Sequence, residues 1–332
     1  MRDFKDKIKR AGKTVLFFAI LFALLTGMSS MLTEISKKND NLIQSRNKSL
    51  IKIQKEPPNS IDVLILGDSL SYTSISPMQL WNRYGITSFI GGQSGQKIYE
   101  TYHILKTTLE NQSPKLVVIE TDVLLRGRTG LGRLKDKLEE KGSYYFPIFR
   151  YHNVWKPLLM GEEYAEESYK GFMLRDTIQP YKKGEYMKKT GEKIQLSPFV
   201  TDYMEQIISL CRENDIKILL ISTPSPVNYN YKKYNALKEY AQENSLDYLD
   251  MNLKVKKLDI DWKSDSLDKG DHVNLLGAQK ITRYFGKYIT SRYDLTDHRG
   301  DAGFEMWERE AKDYKKKTKK KVEAMQNSLR IG

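Results

Sequence analysis

The chain has 332 residues, 39% of them hydrophobic and 29% charged, enough for a large core and too highly charged for a polytopic membrane protein. Its single cysteine, Cys211, excludes an internal disulfide framework and a cysteine-rich zinc module. The net charge of +13 gathers at the ends, with +4 in residues 1–13 and +6 in residues 309–332, leaving +3 for the 295 residues between. That distribution suits contact with an anionic surface and argues against a nucleic-acid groove.

Residues 1–13 read as a basic tail on the cytoplasmic side. Thr14 to Thr33 follow as 20 residues without a charge. At about 1.5 Å per residue a helix of that length is about 30 Å long, enough to cross a hydrocarbon core. An uncleaved single-pass anchor is expected, because the run exceeds the usual core of a signal peptide, which is the alternative. With basic residues ahead of the span, the folded domain is expected outside the cytoplasm, although Lys37, Lys38, Arg46 and Lys48 weaken the contrast. Residues 34–59 read as a membrane-proximal stalk that ends at Pro57-Pro58.

From residue 60 the pattern changes. Short apolar runs at 61–66, 86–90, 115–119, 217–222 and 246–249 read as buried parallel strands. Helical stretches stand between them, from Pro77 after the N-cap residue Ser76, at 97–109, 200–213 and 231–243, and at 275–289 to close the domain. The order predicts an α/β fold with a three-layer parallel sheet over residues 60–292. Residues 126–198, rich in Tyr, Lys, Gly and Glu, break the rhythm and are expected to be an insertion that covers the site. Residues 293–332 read as a basic C-terminal tail, helix-compatible over 304–322, with the lysines from Lys315 to Lys321 on a solvated face or against an anionic lipid or wall polymer.

Three stretches carry chemistry. The first strand runs into Gly67-Asp68-Ser69, which puts a serine just past the carboxyl end of a parallel strand, where such sheets place ligands. The second runs into Gly91-Gly92-Gln93-Ser94-Gly95, a loop whose backbone N–H groups can approach a reacting oxygen. Asp268-Lys269-Gly270-Asp271-His272-Val273-Asn274 precedes the last helix and sets a histidine among carboxylates, as a base oriented by an acid requires. Of the other histidines, His103 is expected to be a packing or surface residue on a helix, and His152, near Trp155, is a candidate for a sugar-binding cleft. Cys211 reads as a small buried hydrophobe.

These blocks resemble those of the SGNH/GDSL hydrolase superfamily over about residues 60–292. Gly67-Asp68-Ser69-Leu70 corresponds to the nucleophile block, Gly92-Gln93-Ser94-Gly95 to the second block, and Asp271-His272-Val273-Asn274 with Gly277 to the last. The resemblance implies Ser69 as nucleophile, His272 as base, and the N–H groups of Ser69 and Gly95 as oxyanion donors. The family's third block carries Asn where this chain has Thr121, whose hydroxyl either replaces that donor or leaves it missing. The acid is expected to be Asp271, with Asp268 in reserve and a Ser–His dyad as the remaining alternative. With its N-terminal anchor, the chain is more narrowly similar to the bacterial surface proteins of teichoic-acid D-alanylation and polysaccharide O-acetylation. That similarity implies an extracytoplasmic O-acyltransferase, or an esterase, acting on a cell-surface polysaccharide or teichoic acid. It also implies a membrane-bound O-acyltransferase as partner and no metal or cofactor. A non-catalytic, polymer-binding partner of such an acyltransferase is the third alternative.

Overall fold

The structure is a computed structural model, and it describes residues 2–43, 45–127, 131–161, 163–164 and 168–331. The rest of the insertion, 128–130, 162 and 165–167, lies outside the described residues, as do Met1 and Gly332 of the two expected tails.

Helix α1 (Arg2–Lys38) takes in the basic start and the uncharged run together. Among the described residues it is the one helix long and apolar enough to cross a membrane, with mean hydropathy 2.3 over its most apolar stretch, of which only 11% is buried. The expected stalk does not stand free. Its helix α2 (Ser45–Gln54) places Leu50 and Ile53 in the core, since apolar residues three apart share one helix face, and buries Ile51 against Leu32 of α1 and Tyr151 of the insertion.

The domain then alternates as its apolar pattern predicts: β1 (Val63–Leu66), α3 (Ser69–Ser74), α4 (Pro77–Tyr84), β2 (Ser88–Ile90), α5 (Ile98–Thr108), β3 (Leu116–Glu120) and α6 (Asp122–Leu125). The insertion holds α7 (Leu131–Tyr145), α8 (Ile148–Tyr151), α9 (Trp155–Met160) and a two-stranded ribbon, β4 (Ser168–Tyr169) and β5 (Phe172–Met173). The main alternation resumes with α10 (Pro198–Glu213), β6 (Lys217–Ser222), α11 (Tyr231–Glu243), β7 (Asp247–Asp250) and α12 (Val255–Leu258). It ends with α13 (Leu275–Thr290) and α14 (Glu305–Ile331).

The five main strands form one parallel sheet in the order β2-β1-β3-β6-β7. Because side chains alternate along a strand, Val63 and Ile65 face one core and Leu64 and Leu66 the other. The first core is closed by α4, α13 and α14, the second by α2, α5, α10 and α11. This gives the expected three layers and explains why the strands read as unbroken apolar runs.

The expected C-terminal tail is the other element that does not stand free. In α14, Trp307, Ala311, Tyr314, Thr318 and Met325 form a buried stripe at helical spacing. Trp307 lies 5.5 Å from Trp81, centroid to centroid. The buried Lys170 locks this face, pairing with Glu56 at 2.8 Å and Glu310 at 3.2 Å and sitting 4.6 Å from the Trp307 ring. Lys315, Lys316, Lys319 and Lys320 fall on the solvated side, as an amphipathic helix requires.

Candidate active site

The loop after β1 turns directly into α3. Asp68 caps that helix, its Oδ1 accepting the Leu70 N–H at 2.9 Å, and so sets Ser69 at the first helical position. The glycine loop after β2 is tied to this turn, with Gly91 N–H donating to Ile65 O at 2.8 Å and Gln93 N–H to Gly67 O at 3.3 Å. A Cβ at Gly92 would meet Ser71 Oγ at 2.4 Å, so only glycine lets the two loops approach this closely. Gly95 lies two residues past Gln93 on the same loop, with φ +58°.

The last block brings His272 to the serine. Its Nε2 is 2.7 Å from Ser69 Oγ, across 203 residues of sequence. The orienting carboxylate is Asp268, which corrects the expectation of Asp271. Asp268 Oδ2 lies 2.7 Å from His272 Nδ1, and its Oδ1 accepts the His272 backbone N–H at 2.7 Å. The reason is the loop's shape: Lys269 (φ +62°) and Gly270 (φ +94°) fold the chain back on itself, so the residue four positions earlier lies beneath the ring. Asp271, adjacent in sequence, is turned outward. Its Oδ1 pairs with Asn228 Nδ2 and stays 3.6 Å from the ring, while Ser225 Oγ donates to its backbone carbonyl at 2.7 Å. The three groups Asp268, Asp271 and His272 also have the spacing of a metal cluster. Both ring nitrogens are already engaged, however, which makes the arrangement a proton relay: nucleophile, base and acid in line.

Thr121 is the second correction. Its N–H donates to Ile221 O at 2.8 Å and its hydroxyl lies 2.6 Å from that of Ser222, so both groups are engaged inside the sheet. Thr121 continues the line of β3 beside β6, and this packing against the neighbouring strand turns it away from an oxyanion.

The sequence reading missed a group of carboxylates behind the nucleophile. Glu120 is fully buried at the end of β3; its Oε2 accepts the Asp122 N–H at 2.9 Å and its Oε1 the Thr223 N–H at 3.3 Å. Asp68 and Asp122 share Arg126, which binds the second through Nε at 2.6 Å and the first through Nη2. Burial, then the charge of Asp122, pushes the Asp68 carboxyl up to about 7 against the pull of Arg126. Burial and both neighbouring aspartates hold Glu120 well above the ordinary range. The signal was a Glu-x-Asp at the end of a strand beside the strand that bears Asp68, but without the register nothing pairs them.

The remaining candidates fall elsewhere. His103 is buried in α5, stacked on Tyr144 at 4.2 Å. His152 lines a cavity of about 240 Å³ that has Gln93, from the glycine loop, in its wall, whereas Trp155 points outward. Cys211 is buried, which pushes its thiol up to about 12. The part of the insertion that borders the relay is its second half. Gln179 bonds Ser266 and Lys269 through its backbone, and the Tyr181 ring packs on Gly270.

Fold and site thus define a parallel α/β protein with a Ser–His–Asp relay at the carboxyl end of its sheet. No family model matches the chain, and no curated protein matches it. Among solved structures it is similar to a GDSL-like lipase from Bacteroides thetaiotaomicron, at 14% identity over 69% of this chain and 87% of that one, with TM-score 0.34. It is also similar to a lipase/acylhydrolase from Enterococcus faecalis, at 13% identity over 71% and 99%, with TM-score 0.37. A third such structure is an acetyl xylan esterase, at 16% identity over 68% and 99%, with TM-score 0.36. These likenesses are too distant to add to the case made by the site's own geometry.

Proposed function

We propose that the protein is a membrane-anchored serine acyltransferase that works outside the cytoplasm and moves an acyl group, in the simplest case acetyl, onto a hydroxyl of a cell-surface polysaccharide or teichoic acid. The observation that carries the chemistry is the continuous relay from Ser69 Oγ through His272 to Asp268, each link 2.7 Å. The apolar α1 supports the setting.

As Ser69 Oγ attacks the acyl carbonyl, His272 Nε2 takes the hydroxyl proton, and Asp268 holds the ring and stabilises its positive charge. The oxyanion is met by the N–H groups of Ser69 and Gly95. With Thr121 spent in the sheet, the hole works with one donor fewer than the family pattern, and losing one such donor costs about 10²–10³ in rate. The tetrahedral species expels the donor's leaving group, which takes the proton from His272 and leaves an acyl-enzyme on Ser69. A polymer hydroxyl then gives its proton to His272 and attacks the ester, releasing the acylated polymer and restoring the serine. A membrane-bound O-acyltransferase is the partner suited to present the acyl donor at the membrane.

Hydrolysis is the second reading, with water in place of the polymer. The observation favouring it is that the Asp268 side chain remains 37% exposed, so the relay is not sealed from solvent. Product partitioning separates the two. The full-length protein is given a small acetyl ester with and without an acceptor glycan, beside a Ser69→Ala control. Acetylated glycan that forms in wild type and is lost in the variant supports transfer. Free acetate alone, undiminished by acceptor, makes the protein an esterase. Surface-polymer acylation that survives Ser69→Ala in cells sinks both readings in favour of a binding partner.

A further inference from the structure

Within the first half of the insertion, the stretch from Phe146 lies against α1. Phe146 meets Phe22 with ring centroids 6.0 Å apart, and the Ile148 N–H donates to Ser29 Oγ at 3.1 Å. These contacts have a depth. If the uncharged run of α1 ends at Thr33 on the domain side, Ser29 lies about 6 Å and Phe22 about 16 Å below that end. Phe146 would then stand at a level close to the middle of the hydrocarbon core.

The composition of this segment fits that level. Residues 142–161 contain two charged residues, Arg150 and Lys156, and no acidic one. Phe149, Trp155, Leu158, Leu159 and Met160 are all more than half exposed, Leu159 at 77%. Lys156 Nζ sits 5.8 Å from the Trp155 ring centroid, a cation paired with an aromatic of the kind that gathers at membrane interfaces. In water these side chains would form an unexplained apolar face. On α1, Phe17, Phe18 and Leu24 are likewise more than half exposed.

We propose that residues 142–161 are a second membrane-contacting element: a short helical re-entrant segment packed beside the span, its exposed apolar side chains in lipid and its two cations reaching to anionic headgroups. The proposal rests on the reading of α1 as a membrane span. It would anchor the domain at two points and hold the 240 Å³ cavity, whose wall includes Phe149, Tyr151 and Gln93, next to the bilayer.

Depth measurement on the full chain tests it. In a Cys211→Ala background, Leu24→Cys, Leu159→Cys and Lys238→Cys each carry one nitroxide label, at exposed positions on α1, α9 and α11. The proteins are placed in vesicles of phosphatidylethanolamine and phosphatidylglycerol and probed with oxygen, which partitions into lipid, and an aqueous nickel chelate. The expected result is loss of nickel broadening at 24 and 159, with strong oxygen broadening at both, and the reverse at 238. A label at 159 that meets nickel while that at 24 does not overturns the proposal and leaves the span standing. If both meet nickel, the span reading fails and takes the proposal with it. A label at 159 shielded from both reagents means that a second copy of the chain, and not lipid, covers this face, which also overturns it.

Discussion

The two halves of the insertion share a tyrosine- and lysine-rich composition and end in different places. Within residues 131–161, α7 joins α5 through Lys97–Asp136 and His103–Tyr144, the stretch from Phe146 packs on α1, and large apolar side chains stay exposed. Residues 168–187 form a ribbon and an extended strap; the ribbon joins the core, and the strap bonds the backbone of the loop bearing His272. The sequence leads one to expect the whole insertion over the site, with His152 and Trp155 as candidates for a sugar cleft; in the structure it is the strap, through Gln179 and Tyr181, that meets the His272 loop. Aromatic content identifies a surface that needs a partner, and only packing says which partner it has.

The largest effect that sharpens this comparison belongs to the loop the second half supports. Asp268→Asn should lower kcat/KM on a small ester by about 10⁴, because the ring loses its counter-charge and is held in the wrong tautomer. Asp271→Asn should cost about tenfold or less, since that side chain is held by Asn228 and touches neither serine nor the ring closely. Equal losses in the two variants would undo the assignment of the acid.

Next is the contact between strap and loop. Gly270 has φ +94°, and a Cβ there would lie 2.6 Å from the Tyr181 ring. Gly270→Ala should displace His272 and cost about 10² in rate, the scale expected of an ångström of misplacement. Adding Tyr181→Ala should recover part of the loss by making room, leaving only the backbone strain. No recovery in the double variant would mean that the strap does not position the loop.

The first half should respond in the opposite way. Leu158→Ser with Leu159→Ser removes exposed apolar surface from α9, which carries none of the relay residues. In detergent, turnover of a small soluble ester should stay within about twofold of wild type, as exposed substitutions away from a site usually do. A fall like that of Gly270→Ala would break the division between the halves.

The smallest effect is a pH dependence that belongs to neither half. Burial favours the neutral Asp68 carboxyl in the folded state and raises it from 3.8 to about 7. The stability it contributes is therefore complete below about pH 4 and is lost as pH rises through about 7. Melting temperature should fall over that window. Asp122→Asn removes a neighbouring charge that raises both Asp68 and Glu120, so it should move the fall to lower pH. A melting curve unchanged between pH 4 and 8 in wild type would show that the cluster does not titrate as described.

Much of this was readable along the chain. β1, β2, β3 and β6 are largely apolar runs of three to six residues whose burial on both faces is a local property of composition, whereas β7, Asp-Tyr-Leu-Asp, is half exposed at the sheet's edge. Ser69 and His272 were identifiable because each stands in a short string whose chemistry depends on immediate neighbours. The stripe of Trp307, Ala311 and Tyr314 was present at helical spacing too, but the surrounding lysines hid it.

What the sequence determined by itself, then, was the α/β alternation, the long apolar run at the N-terminal end, and the serine and histidine of the relay, since each stands in a short string of a few neighbouring residues. The tertiary structure alone decided the acid, the fate of Thr121, the carboxylate group around Glu120, and which half of the insertion meets which surface. Asp268 is chosen over Asp271 by a loop fold in which Lys269 and Gly270 take positive φ. Thr121 is lost to Ser222 through the pairing of β3 with β6. Whether across the four residues from Asp268 to His272 or the 101 from Thr121 to Ser222, such contacts are set by loop geometry and strand register, which no local pattern encodes.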